Sequence, residues 1–139
     1  MSISTSSALK VLIESGGLGL TADRDERSKL NTAANWVTIS EAISVVPASV
    51  NTPRDPSGPR VVSELAQVDL WQKWRDPNKN VVESPALARS LHHLLDGARL
   101  TTSPTLTWGV YVRSARRLPP EQEANLIHTA YTVELVRNS

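Results

Sequence analysis

The chain has 139 residues, with Lys+Arg 15 and Asp+Glu 14, giving a formal net charge of +1. This length suits one domain whose core needs neither metal nor disulfide to hold it, and the charge balance speaks against a dedicated nucleic-acid binder, which normally carries a clear basic excess. The absence of cysteine excludes a disulfide framework, a thiolate nucleophile and cysteine-ligated zinc or iron–sulfur sites. No apolar run approaches the ~18 residues of a membrane span. Met1 to Ser7 is polar and lacks the basic and apolar regions of a signal peptide, so a cytosol-like compartment is expected.

Residues 5–15 read as a short helix, with Thr5 or Ser6 as N-cap and Ala8, Leu9, Val11, Leu12 and Ile13 forming a broad apolar arc. Gly16-Gly17 stops it, because glycine takes the left-handed conformation without a Cβ clash. Residues 21–35 are polar, mixed in charge and aperiodic, and read as a loop. Trp36 to Ile43 reads as the first strand, with Val37, Ile39, Glu41 and Ile43 on one face. Residues 47–60 hold four prolines around the turn sequence Asp55-Pro56-Ser57-Gly58, a connection long enough to suggest a function of its own.

Val61 to Trp71 reads as the second strand, with Val62, Ala66, Val68 and Leu70 on one face, interrupted by Glu64. Residues 84–96 give the clearest helix: Ser84 is a natural N-cap, Pro85 fits the first helical position and Gly97 follows the end. Leu87, Leu91, Leu94 and Leu95 form its apolar stripe, with Arg89, Ser90, His93 and Asp96 pointing away. Leu106 to Arg113 alternates cleanly as a strand, and Asn125 to Val136 forms the last one, with Ile127, Tyr131, Val133 and Leu135 on one face. This order predicts an α+β fold over residues 1–139: a mainly antiparallel four-stranded sheet, two helices packed on one face, and a long Pro-rich loop.

The search for chemistry finds no enzymatic constellation. His92 and His93 are adjacent on a helix and diverge by about 100°, so they do not chelate one metal, and with His128 they read as surface or boundary residues. No Ser lies in a nucleophile elbow or an S-x-x-K arrangement, and the glycine cluster at 16–19 follows a helix and carries no lysine. Asp23, Asp25 and Glu26 lack the spacing of a calcium loop. Trp71 and Trp74 beside Lys73 and Arg75 suggest a base-stacking platform, against the plainer reading that Trp71 packs into the sheet and Trp74 closes over a loop. Arg113, Arg116 and Arg117 form a basic cluster that Glu121 and Glu123 are placed to neutralise. The expectation is a protein without catalytic residues, cofactor or metal.

Three stretches carry a resemblance: Ala66 to Gln72 reading AQVDLWQ, Ser84 to Leu100 reading SPALARSLHHLLDGARL, and His128 to Val136 reading HTAYTVELV. Together with the leading helix they resemble the tail terminator proteins of long-tailed bacteriophages, over most of the chain apart from residues 20–35. The resemblance implies a virion protein assembled in the host cytoplasm. It would form a ring, typically of six subunits, on the head-proximal end of the tail tube, stop tube growth and offer a docking surface to head connector proteins. The implied partners are copies of itself, the tail tube protein and a connector or stopper protein. DNA passes through the lumen without specific binding, and no membrane is involved. The alternatives are a neck connector and a nucleic-acid-binding module. Candidate interface residues are Pro53, Arg54, Asp55 and Arg60 in the Pro-rich arm, Trp74 and Arg75 after the second strand, and Arg113, Arg116 and Arg117.

Overall fold

The computed structural model describes residues 3–24, 35–40, 43–45 and 61–138. Its elements are α1 (Thr5–Glu14), β1 (Thr21–Arg24), β2 (Asn35–Ile39), β3 (Ile43–Val45), β4 (Val61–Lys73), α2 (Pro85–Leu95), β5 (Arg99–Ser103), β6 (Leu106–Arg117) and β7 (Leu126–Asn138). Among the described residues they form a seven-stranded sheet in the order β1-β2-β4-β7-β6-β5, with β3 also paired to β4. The expected mainly antiparallel four-stranded sheet is therefore corrected: the fold is mostly β and the sheet is mixed, and the two expected helices accompany it among the described residues.

Two of the added strands come from segments without a sequence period. Thr21–Arg24, read as loop, pairs parallel with β2, from Thr21 opposite Trp36 to Arg24 opposite Ile39. Arg99–Ser103 forms a hairpin with β6, turning at Pro104-Thr105. The third arises because the predicted strand 36–43 is two strands. Ile39 pairs with Val68 and Ile43 with Leu65, so four steps along one chain meet three along the other. Ser40 still stands opposite Gln67, its N–H donating to Gln67 O at 2.9 Å and its Oγ accepting from Gln67 N at 2.8 Å, so the extra residue falls between Ser40 and Ile43. A one-residue slip flips every later side chain. Ile39 is therefore fully buried, whereas Ile43, expected on the same face, is 70% exposed.

All thirteen residues of β4 pair antiparallel with β7, which makes these two strands the centre of the sheet. α1 packs against β1 and β5, the two ends of the strand order, and touches the middle strands little, so the sheet is curled with both ends brought under one helix. Both ends of α1 are latched. Ile3 N donates to Thr102 O of β5 at 2.8 Å. At the other end Glu14 Oε2 accepts from Ala22 N of β1 at 3.1 Å. That backbone donor, helped by Lys10, holds the Glu14 carboxyl below its usual pKa.

The N-cap of α1 is Ser4, whose Oγ accepts from Ser7 N, in place of the expected Thr5 or Ser6. Those two residues are buried instead, and Thr5 Oγ1 donates to Glu64 Oε1 at 2.6 Å, which explains the carboxylate interrupting the core face of β4. Gly17 takes the left-handed conformation, as a helix stop requires. Gly16 has a second reason to be glycine, because a Cβ there would stand 2.4 Å from Leu94 Cδ2 of α2.

α2 keeps its predicted caps: Ser84 Oγ accepts from Leu87 N, Pro85 opens the helix and Gly97 follows in the left-handed region. The nearly buried Gln72 fixes its start to β4 by donating to Ser84 O and accepting from Ser84 N at 2.7 Å. The concave face holds the core, which includes Leu9 and Ile13 of α1, Leu91 and Leu95 of α2, and Val37, Ile39, Val68, Leu70, Val110, Tyr131, Val133 and Leu135 of the strands. Burying a side chain of this kind contributes about 1.5–3 kcal/mol of transfer free energy. A second cluster, Trp36, Trp71 and Leu126, lies on the convex face at one end.

Candidate assembly surfaces

The sequence-predicted interface residues fall into three groups. Pro53, Arg54, Asp55 and Arg60 lie outside the described residues. Trp74 and Arg75 follow β4, where Trp74 N donates to Asn125 O, and Asn125 brackets Arg75 by accepting from its N–H and donating to its carbonyl. The Arg75 guanidinium lies over the Trp74 ring, 4.3 Å from its centroid. Trp74 is half-buried, so the face available to a stacking base is occupied by the protein's own arginine.

The arginine cluster is split between two faces. β6 runs four residues beyond its predicted end and carries a bulge, with Val112 opposite Val133 and Ser114 opposite Thr132, so Arg113 is the extra residue. Arg113 pairs with Glu134 across the convex face. Arg116, opposite Ala130, is exposed on that same face. Arg117 turns to the helix side and forms a forked pair with Glu83 just before α2, with Nε 2.9 Å from Oε2 and Nη2 2.8 Å from Oε1. Such a fork is the geometry guanidinium offers a carboxylate. Arg117 shares its end of the sheet with Trp74, since Val82 N donates to Trp74 O; Arg113 lies further along β6.

The convex face also holds a stack that sequence reading missed. Trp36 and Trp71 lie 6.3 Å apart with nearly parallel rings, and His128 stacks on Trp71 at 4.1 Å. The Trp71 indole donates to Thr38 Oγ1 at 3.0 Å. His128, read as a surface or boundary residue, has its Nδ1 buried and without a hydrogen-bond partner among the described residues. Beside it, burial pushes the Asp69 carboxyl above its usual pKa, against the opposing pull of the Gln67 amide and of His128. The register of β4 against β2 and β7 builds this stack, because Trp71 stands opposite both Trp36 and His128.

A second missed feature is an apolar groove of about 290 Å³ between α2 and the far half of β6, lined by Ala88, Arg89, His92, His93, Ala115, Thr129 and Tyr131. Ala88 and Ala115 leave the space open by being small. Tyr131 forms its floor, donating from its hydroxyl to Ala88 O at 2.6 Å and packing edge-on to His92 at 6.0 Å. Burial pushes the Tyr131 hydroxyl up to about 12. Among the described residues no group of three His, Asp or Glu side chains is arranged to hold a metal ion, and no helix is long and apolar enough to cross a membrane.

No family model matches the chain, and no curated protein matches it. Among solved structures, a chain in the virion of a native gene transfer agent particle matches with a TM-score of 0.68 at 16% identity, covering 98% of this chain and 96% of that one. This chain therefore shares its fold, over nearly its whole length, with a component of a virion.

Proposed function

We propose that this chain is a virion structural protein, and specifically a tail terminator: a ring that caps the head-proximal end of a tail tube, stops its polymerisation and offers the surface on which head connector proteins dock. The observation that carries this reading is the match, end to end in both chains, to a component of the gene transfer agent virion, a phage-like particle. The tail-terminator resemblance of AQVDLWQ, SPALARSLHHLLDGARL and HTAYTVELV supplies the finer position. A tube grows by a head-to-tail contact that never closes, whereas a terminator copies one half of that contact and closes into a ring by a second contact. Its partners are copies of itself, six to a ring by the same resemblance, together with the tube protein and a connector or stopper protein. DNA crosses the lumen without specific contacts. The protein makes and breaks no bond and needs no cofactor.

Electron microscopy of particles assembled without the protein tests this. Overlong, headless tubes are the expected result; tubes of normal length carrying heads contradict it. A neck connector is the second reading, favoured by the same virion likeness, and co-sedimentation with purified heads rather than with tubes would select it. The nucleic-acid module is disfavoured by the Arg75 guanidinium covering the Trp74 ring and by the carboxylates that occupy Arg113 and Arg117.

A further inference from the structure

The far half of β6 combines two features: a strand edge that no described strand pairs and an apolar groove beside it. β5 pairs with β6 only as far as Gly109, and the chain before it reaches Val110, whose N–H donates to Ala98 O. Val112 N is satisfied by the Asp96 side chain at 3.0 Å. From Arg113 to Arg117 no described strand covers the outer edge, and all five residues are exposed.

The direction of the edge groups follows from the ladder. Leu118 N donates to His128 O, so Leu118 faces β7 with its hydrogen-bonding groups. Antiparallel pairing alternates, so Arg116 and Ser114 also bond toward β7, while the N–H and C=O groups of Ala115 and Arg117 point away from it. These outward groups offer a ladder for one more strand. The Ala115 side chain lines the groove under α2, whereas Arg116 stands on the opposite face.

We infer that this edge receives an extended segment of a partner protein by strand addition, and that the segment alternates acidic and apolar residues. Side chains on neighbouring strands share a face with the residue they oppose. The residue opposite Ala115 therefore enters the groove among Ala88, His92 and Tyr131, where an apolar side chain fits. Its two neighbours fall on the convex face beside Arg113 and Arg116. Arg116 has no ion-pair partner among the described residues, and no carboxylate lines the groove, where Arg89 stands at the rim. Positive charge on both sides of the edge selects carboxylates and disfavours a basic segment. The inference concerns a surface and does not rest on the tail position proposed above.

Two short blocked peptides test it, one alternating Glu and Val, the other Lys and Val, titrated into the full chain with amide-resolved NMR as readout. The Glu–Val peptide is expected to shift and protect the Ala115 and Arg117 amides. The Lys–Val peptide should bind roughly tenfold more weakly or worse. Ala115→Pro removes one outward N–H and should abolish protection of the remaining Arg117 amide. Should that variant misfold, Arg89→Glu combined with Arg116→Glu, both at exposed positions, should reverse the preference between the peptides. The inference is overturned if neither peptide touches these amides, or if both bind equally. It is equally overturned if the amides become protected on concentrating the protein alone, which would make a second copy the occupant.

Discussion

The two halves of β6 stand in contrast, one covered and one bare. From Leu106 to Gly109 the strand pairs with β5, and from Gly109 onward it also pairs with β7; Trp108 and Val110 are buried, with the Trp108 indole donating to Thr102 Oγ1 at 3.0 Å. From Arg113 to Arg117 it keeps only β7, and every residue is exposed. One β-strand thus serves as core at one end and as edge at the other, with a bulge at Arg113 as the boundary. The covered half shows what holds the fold together. The bare half shows where the fold leaves hydrogen-bonding capacity unspent, which in an assembling protein is where contacts are built.

The contrast makes stability predictions that fall in size from the covered core to the bare edge. Leu91 is fully buried on α2, so Leu91→Ala should lose about 2–5 kcal/mol in denaturant unfolding; a loss below ~1 kcal/mol would mean that α2 is not clamped on the sheet as described. Gln72→Ala deletes both hydrogen bonds to Ser84 and should cost about 1–3 kcal/mol by leaving buried backbone groups unsatisfied. Wild-type stability without change in Gln72→Ala would show that capping alone positions the helix.

Tyr131→Phe removes the bond to Ala88 O and should cost about 0.5–1.5 kcal/mol at neutral pH. The variant also carries a pH signature. The folded hydroxyl titrates at about 12 against an ordinary 10.0, so the folded state holds its proton more tightly. That contribution is complete below pH 10 and is lost as pH rises toward 12, so wild type should weaken in this window and Tyr131→Phe should weaken less. Parallel pH profiles for the two proteins would contradict the burial of this hydroxyl. At the bare edge, Arg116→Ser should change stability by no more than about 0.5 kcal/mol, since it removes no described contact. A larger loss would mean that the edge is part of the folded core.

The two halves also differ in how legible they were. α2 could be read residue by residue, because its caps and its leucine stripe are local signals and tertiary packing agreed with them. β4, β6 and β7 announced themselves by alternation. The strands that escaped, β1, β3 and β5, span four, three and five residues and exist through pairing with distant chain, which leaves too little period to read. Ile43 shows the cost: its alternation with Ile39 is regular in the sequence, and one extra residue between Ser40 and Ile43 sends it to solvent. Arg113, Arg116 and Arg117 are grouped along the chain, yet the Arg113 bulge and strand alternation divide them between faces. The groove was invisible for another reason. Two alanines, Ala88 and Ala115, leave its space open, and small residues signal nothing until that space is seen.

The proposed terminator role requires the protein to engage one end of a tail tube. Gold-labelled protein mixed with purified tail tubes and viewed by electron microscopy tests this most directly. Label confined to a single end of each tube, with further tube growth arrested there, is the predicted result. Label spread along the tube wall, or found only on heads, would contradict it.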